Sequence, residues 1–152
     1  MNKIIFTIIA IFFLKACSYE PILLNKKYDF QLNDITATGD KEINRILIEK
    51  LKNKTNGSKI FNLNLISKKN EKILSYDGKG DPLILELKIS LNYEILLNEK
   101  IILKDKIQKQ ITYNNIKDKY ELAKYEDLMI LNLSENLSDE ILVSIATVQH
   151  DS

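Results

Sequence analysis

The sequence predicts an α+β fold in which two helices pack on one face of a four-stranded mixed sheet, in the order β-α-β-β-β-α. Three observations lead to this expectation. Four segments alternate apolar and polar residues with a period of two, which is typical of strands that bury one face. Two segments repeat apolar residues every three or four positions, which is typical of amphipathic helices. A chain of 152 residues has room for one core that buries these faces together.

The first half of the chain predicts a strand, a helix and a second strand. Alternation over residues 28–33 indicates the first strand, and Thr38-Gly39-Asp40 then breaks the pattern and supplies a helix N-cap. The helix is expected to end at Asn56-Gly57. Its apolar face consists of Ile43, Ile46, Leu47 and Leu51. The second strand covers residues 61–65, and the pattern leaves open whether residues 73–76 continue it beyond a polar interruption.

The second half predicts two strands and a long helix. Residues 77–82 contain two glycines and a proline and indicate a turn. Apolar residues then occupy every odd position over 83–97, a strand of about 50 Å that is expected to be bent or bulged. Asn98-Glu99 indicates a tight return into a strand over 101–113, and Asp118 caps the last helix. The apolar stripe of that helix consists of Leu122, Tyr125, Met129, Leu133, Leu137, Ile141, Ile145 and Val148.

The amino terminus is typical of a secretory signal peptide. Lys3 precedes an apolar run over residues 4–14 that is interrupted only by Thr7. Such a run falls within the roughly 7 to 15 residues of a signal-peptide core and is shorter than the about 20 residues that span a bilayer as a helix. We therefore predict that residues 1–16 are a signal peptide.

The cleavage region resembles a bacterial lipobox. Cys17, the only cysteine of the chain, directly follows Leu14-Lys15-Ala16. The mature chain is then expected to begin with Cys17, which carries a covalent diacylglycerol and an N-acyl lipid. The alternative is a lone thiol at the end of a membrane-anchoring helix, for which the apolar run is short. Residues 17–27 are predicted to form a lipidated tether and residues 28–149 a single α+β domain.

Composition argues against most enzyme classes and against nucleic acid as a partner. The chain has 22 basic and 21 acidic residues, so its formal charge of +1 creates no strong field. One cysteine and one histidine, His150, exclude a Cys/His zinc site and most His-dependent catalysis within one chain. The neighbouring carboxylates Glu126 and Asp127 point apart on a helix and are interpreted as a solvated face. We therefore predict no catalytic residue, no metal and no cofactor beyond the lipid on Cys17.

A cluster of lysines allows two interpretations. Lys68, Lys69 and Lys72 lie close together in the sequence, and Lys79 follows in the turn. They form either a basic patch for an anionic ligand or a solvated loop. The residues alone leave both possibilities open.

Several motifs resemble the lipopolysaccharide-assembly lipoprotein family LptE. They are Cys17 followed by Ser18-Tyr19-Glu20-Pro21, the order of elements, Tyr113-Asn114 before the last helix, and Tyr120-Glu121-Leu122-Ala123-Lys124 at its start. The resemblance implies two helices on a four-stranded sheet and a lipid-anchored position at the outer membrane, on the periplasmic side or inside a barrel lumen. It also implies a non-enzymatic role, in which the protein plugs the outer-membrane barrel LptD that inserts lipopolysaccharide into the outer leaflet.

The resemblance points to two lysines that contact lipopolysaccharide. Lys124 lies near the start of the last helix, where the family has a basic residue, and Lys79 is the basic residue that this chain offers in the turn over 77–81. A lysine can bind phosphate as a point charge. The competing function is that of an auxiliary lipoprotein subunit in another envelope machine for lipid transport or barrel assembly.

Overall fold

The computed structural model describes residues 28–53 and 55–150, the side chain of His150 excepted. The elements are β1 (Tyr28–Gly39), α1 (Lys41–Asn53), β2 (Thr55–Tyr76), β3 (Pro82–Leu97), β4 (Lys100–Asn114) and α2 (Lys119–His150). This order confirms the predicted α+β class. The predicted signal peptide, Cys17 and the predicted tether lie outside the described residues.

The four strands form one mixed sheet in the spatial order β1-β2-β3-β4. β1 pairs with β2 in parallel, whereas β2–β3 and β3–β4 are antiparallel. The parallel pair requires a crossover connection, which α1 provides. We call the sheet face that carries the helices the helix face and the opposite one the open face.

A bulge in β1 changes which residues face the core. Leu32 pairs with Phe61 but Asp34 pairs with Asn62, so one extra residue stands between them in β1. Even-numbered residues such as Leu32 are buried before the bulge, and the odd-numbered Ile35 packs against the core after it. The sequence pattern indicated alternation over residues 28–33 and a break at Thr38-Gly39-Asp40, and β1 ends at Gly39.

β2 is longer than the sequence predicts at both ends. Its residues 73–76 continue the strand, which settles the question that the pattern left open. The expected helix end at Asn56-Gly57 is wrong, since α1 ends at Asn53 and Gly57 lies in β2. A Cβ atom at Gly57 would lie 2.1 Å from the carbonyl carbon of Asp29, so this glycine allows the close approach of β1.

Both predicted helix caps are present. Asp40 Oδ1 accepts hydrogen bonds from the backbone amides of Glu42 and Ile43, each at 3.1 Å. Asp118 Oδ1 accepts them from Tyr120 at 2.9 Å and from Glu121 at 3.1 Å. Each aspartate thereby satisfies two amides that have no partner inside the helix.

α2 crosses the sheet diagonally. Side-chain hydrogen bonds tie its amino-terminal part to β4 and its carboxy-terminal part first to β3 and then to β1; they join Tyr113 to Glu126 (2.7 Å), Tyr93 to Ser144 (2.9 Å) and Gln149 to the Asp29 carbonyl (2.9 Å). α1 packs beside it over β1 and β2. β1 ends and α1 begins beside Ser67. Beyond that point, residues 68–76, 82–90 and 108–114 form a three-stranded extension of the sheet, which we call the distal sheet.

Candidate ligand-binding groove between the helices

A surface groove of about 360 Å³ lies between α1 and α2, and we call it the seam groove. Both helices contribute to it because they pack against each other at the amino-terminal half of α2. Its lining residues are Glu42, Arg45 and Ile46 from α1 and Lys124, Asp127, Leu128 and Leu131 from α2. One of the two lysines singled out by sequence, Lys124, therefore lies at a concave site.

The seam groove combines an apolar lining with a charged border. The Leu128 side chain is 52% exposed and that of Leu131 is 38% exposed, whereas Ile46 is buried. Exposed leucines that line a groove offer apolar surface to a ligand, since neither is covered by the core. The charged residues around them include both signs, so the groove suits an amphipathic ligand better than a simple anion.

A second cavity of about 230 Å³ continues the seam toward the end of α1. It shares Arg45, Ile46 and Leu131 with the seam groove. The ammonium group of Lys50 crosses from α1 to the carboxylate of Glu135 on α2 at 2.7 Å. This half-buried ion pair joins the two helices at that end. At the Lys124 end, no ion pair joins α1 to α2 within the described residues.

The two cations at the seam groove differ in their partners. The Arg45 guanidinium lies 3.9 Å from the carboxylate of Glu49, one helical turn away, and both side chains are largely exposed. Lys124 is exposed and makes no ion pair within residues 28–53 and 55–150. Its positive charge is therefore available to a ligand.

Lys79 lies elsewhere, at the tip of the turn that joins β2 to β3. Asp77 Oδ1 accepts hydrogen bonds from the amides of Lys79 at 2.8 Å and Asp81 at 2.9 Å, and Gly80 takes a positive φ of 88°. Asp77 thereby fixes the predicted turn. Lys79 is not among the residues that line the seam groove.

The lysine cluster is divided by the alternation of β2. Lys69 lies on the helix face, where its ammonium group is 3.3 Å from the carboxylate of Glu71. Burial alone would lower the pKa of Lys69, but the hydrogen bond and charge of Glu71, with the charges of Asp40 and Glu42, raise it above the ordinary value. Lys68 and Lys72 lie on the open face, because successive strand residues point to opposite sides.

Sequence reasoning missed most of the seam groove. Arg45, Leu128 and Leu131 carry no motif, and the two leucines lie outside the apolar stripe that packs on the sheet. The sequence did contain one signal for the groove: Leu128 and Leu131 are three residues apart and lie outside the apolar stripe. Such a pair indicates a second apolar surface on the helix.

One carboxylate has a different role from the one expected. Glu126 accepts a hydrogen bond of 2.7 Å from the hydroxyl group of Tyr113, so it does not belong to a purely solvated face. Burial first, then the hydrogen bond and charge of Glu126, raise the pKa of Tyr113 well above its usual range. The neighbouring Asp127 is exposed and lines the seam groove, as the directions of adjacent helix residues require.

Another cavity, of about 460 Å³, opens between α2 and the edge strand β4. Ile107 and Val143 supply its apolar surface, and Lys109 pairs with Glu140 within it. Lys109 interrupts the apolar alternation of β4, which is the sequence signal for a strand that passes the edge of the core.

The described residues offer neither a metal site nor a membrane-spanning helix. No group of three or more His, Cys, Asp or Glu side chains in this part of the chain is placed to hold a metal ion. No helix in residues 28–53 or 55–150 has the length and hydropathy needed to span a membrane.

The fold of this chain is shared with solved structures, although its sequence has no match among family models or curated proteins. No protein-family model matches the sequence, and no curated protein matches it. Solved structures with the same architecture nevertheless exist. Rare lipoprotein B from Shewanella oneidensis is similar with a TM-score of 0.61 and 20% identity, over 78% of this chain and 98% of that one.

Two further lipoprotein structures share the architecture. An uncharacterized lipoprotein B from Nitrosomonas europaea has a TM-score of 0.64 and 13% identity, covering 83% of this chain and 88% of its own. A minor lipoprotein from Acinetobacter baumannii has a TM-score of 0.57 and 12% identity, covering 82% and 95%. At these identities the likeness is one of fold, so residues 28–150 have the architecture of these bacterial lipoproteins.

Proposed function

We propose that this protein is an outer-membrane lipoprotein that assembles with, and plugs, the LptD-type β-barrel that inserts lipopolysaccharide into the outer leaflet. It acts without catalysis. The observation that carries the proposal is the fold shared with rare lipoprotein B over 98% of that chain, which is the fold that the resemblance to the LptE family implies. The lipobox-like residues before Cys17 support the anchoring of the chain at a membrane.

The composition of the open face supports the role of a plug. Most side chains on this face of β2, β3 and β4 are polar and many are uncharged. Away from Lys68 and Lys72, the uncharged polar ones include Asn62, Asn64 and Asn92. The lumen of a large outer-membrane barrel is polar, so this amide-rich part of the open face can form hydrogen bonds with its wall.

The seam groove is the proposed contact for lipopolysaccharide. Lys124 offers an unpaired positive charge to a phosphate or carboxylate, and Leu128 and Leu131 offer exposed apolar surface to an acyl chain. A ligand that joins acidic groups to acyl chains matches both features of the groove.

Co-purification tests the partner. A carboxy-terminally tagged chain is gently extracted from the native outer membrane, and the proteins that accompany it are identified and quantified by mass spectrometry. A barrel of the LptD type at about equal stoichiometry supports the proposal. Recovery with an inner-membrane transporter, or with a barrel-assembly complex, supports the alternative, an auxiliary lipoprotein of another envelope machine.

The anchor is tested separately. A Cys17→Ala variant is expected to lose the mass of the diacylglycerol and N-acyl groups and to leave the membrane fraction. A Cys17→Ala protein that keeps its lipid would show that Cys17 is not the lipidated residue. The matched control is Ser18→Ala, which changes the adjacent residue and leaves the thiol in place.

Charge reversal tests the groove. Lys124→Glu is expected to weaken lipopolysaccharide binding in vitro about 10-fold, since an attractive charge becomes a repulsive one. Lys119→Glu makes the same charge change on the same helix, outside the seam groove, and is expected to change affinity by less than about 2-fold. Lys79→Glu tests the turn independently. Unchanged affinity in a variant removes that lysine from the site.

A further inference from the structure

We propose that the open face of the distal sheet binds a ligand with two or more phosphate groups through Lys68, Lys72 and Lys88. This site lies on the opposite side of the sheet from the seam groove and its Lys124. It therefore goes beyond the proposed function and does not depend on it. The sequence left open whether Lys68 and Lys72 belong to a basic patch or to a solvated loop, and it did not point to Lys88, which comes from β3.

The strand register brings the three lysines together. Lys68 pairs with Ser90, and Lys88 pairs with Asn70, which lies midway between Lys68 and Lys72 in β2. Lys88 is thus the diagonal neighbour of both other lysines, at roughly 7 to 8 Å between backbone positions. All three lie on the open face, since Leu87 and Ile89 on either side of Lys88 are buried against the helices.

The three lysines have no acidic partner in the described part of the chain. Lys50, Lys69, Lys104 and Lys109 each pair with a carboxylate. No ion pair or side-chain hydrogen bond involves Lys68, Lys72 or Lys88 within residues 28–53 and 55–150. Like charges at diagonal positions on a sheet repel each other, and a bound polyanion relieves that repulsion.

The surroundings supply further donors and a single carboxylate. Asn70 lies between the two lysines of β2, and Gln110 pairs with Lys88 from the other side. Their side-chain amides can donate to phosphate oxygens. Glu86 pairs with Lys72 across the strands, and no ion pair joins them, so the patch has three positive charges and one negative charge.

Titration calorimetry with inorganic tripolyphosphate at low ionic strength tests the site on the full-length protein in detergent. The triple variant K68Q/K72Q/K88Q is expected to bind about 10-fold more weakly or worse, since three charge-assisted contacts are lost. The control K52Q/K117Q/K119Q removes the same net charge from exposed positions outside the patch and is expected to change affinity by less than about 2-fold.

A second variant tests the proposal in the opposite direction. Glu86→Gln removes the one carboxylate of the patch and is expected to tighten tripolyphosphate binding about 2-fold to 3-fold. The arginine variant K68R/K72R/K88R keeps the charge and is expected to retain binding. Equal losses in the two glutamine triples, or a loss in Lys124→Gln instead, would overturn the site. Circular dichroism checks that each variant is folded.

Competition separates the two sources of the phosphate groups. A phosphorylated saccharide lipid, in vesicles of otherwise zwitterionic lipid, is added to the tripolyphosphate complex, and the same lipid is added after enzymatic removal of its phosphates. Displacement only by the phosphorylated form supports the site and identifies a lipid headgroup as its ligand. Tripolyphosphate binding that the lipid does not displace supports the site with a soluble polyphosphate as the ligand.

Discussion

The two ends of the sheet differ in how completely they are covered. In the proximal sheet (residues 28–39, 55–67, 91–97 and 100–107), central side chains such as Leu63 and Ile95 are fully buried under the two helices. In the distal sheet, Ile73 is 37% exposed and Leu83 is 46% exposed on the same face, because β1 and α1 do not reach them. The diagonal path of α2 covers β4 there and leaves β2 open.

The proximal and distal sheets are therefore expected to contribute differently to folding stability and to ligand binding. The proximal sheet buries its apolar residues between two layers, so its packing supplies most of the hydrophobic stabilisation. The distal sheet exposes apolar residues on its helix face and unpaired lysines on its open face. Substitutions of buried residues, including Leu87 and Ile89 in the distal sheet, should therefore affect folding, whereas substitutions of exposed residues in the distal sheet should mainly affect binding.

The largest effect is expected for a core leucine of the proximal sheet. Leu63→Ala leaves a cavity at a fully buried position and should lower the free energy of unfolding by about 2 to 5 kcal/mol. Leu83→Ala makes the same change in the distal sheet, where nearly half of the side chain is exposed, and should cost less than about 1 kcal/mol. Urea unfolding followed by circular dichroism compares them. Equal losses would show that Leu83 packs as tightly as Leu63.

The next effect concerns the junction between β1 and α1. Gly39 has a φ of 101°, and a Cβ atom there would lie 2.0 Å from the carbonyl oxygen of Ser67. Gly39→Ala should therefore cost about 2 kcal/mol or more, from backbone strain and from the displaced strand. Gly78, in the distal turn, has no atom within 4 Å of such a Cβ, so Gly78→Ala should change stability by less than about 0.5 kcal/mol. A large loss for Gly78→Ala would contradict this contrast.

A smaller difference in stability is expected between the two helix caps. Asp40 caps α1 in a half-buried position, whereas Asp118 caps α2 in an exposed position. Asp40→Ala should cost about 1 to 2 kcal/mol of global stability, and Asp118→Ala about 0.5 to 1 kcal/mol. Hydrogen exchange separates global unfolding from local opening. Faster exchange confined to the first turn of α2 in Asp118→Ala is the expected pattern, and uniform acceleration would contradict it.

Much of the fold could be predicted from the sequence because each element has a clear period. Every odd residue from 83 to 97 is apolar, which defines β3 and its buried face. The end of β1 at Gly39 agrees with the predicted break at Thr38-Gly39-Asp40, but the core-facing residues after residue 33 could not be predicted, since the bulge before Asp34 inverts the alternation. The length of β2 was left open because residues 68–76 are polar or exposed, and no buried face stands behind them to impose a pattern.

Less of the candidate site could be predicted. Lys124 was indicated only by resemblance, and the groove beside it depends on how α1 and α2 pack, which no local pattern records. The open-face patch combines Lys68 and Lys88, which are distant in sequence and become neighbours only through the β2–β3 register. Lys69 was grouped with Lys68 and Lys72 by proximity in sequence, but strand alternation places it on the other face of the sheet.

The last comparison concerns a hydrogen bond that ties the distal sheet to α2, in addition to the Lys109–Glu140 ion pair. Tyr113 is buried and donates a 2.7 Å hydrogen bond to Glu126. Tyr113→Phe should cost about 1 kcal/mol near neutral pH because it leaves the Glu126 carboxylate without this donor. Tyr120→Phe is the matched control, since Tyr120 is 74% exposed, and should have no measurable effect.

The pH dependence of this contact has a definite sign. The raised pKa of Tyr113, caused by burial and by Glu126, means that folding favours the neutral hydroxyl group. The stabilisation is complete below the unfolded pKa of about 10 and is lost as pH rises from there toward the folded pKa. The difference in unfolding free energy between wild type and Tyr113→Phe should therefore be constant from pH 7 to 9 and shrink above pH 10. A difference that grows above pH 10 would mean that the folded chain stabilises the tyrosinate, which the carboxylate of Glu126 opposes.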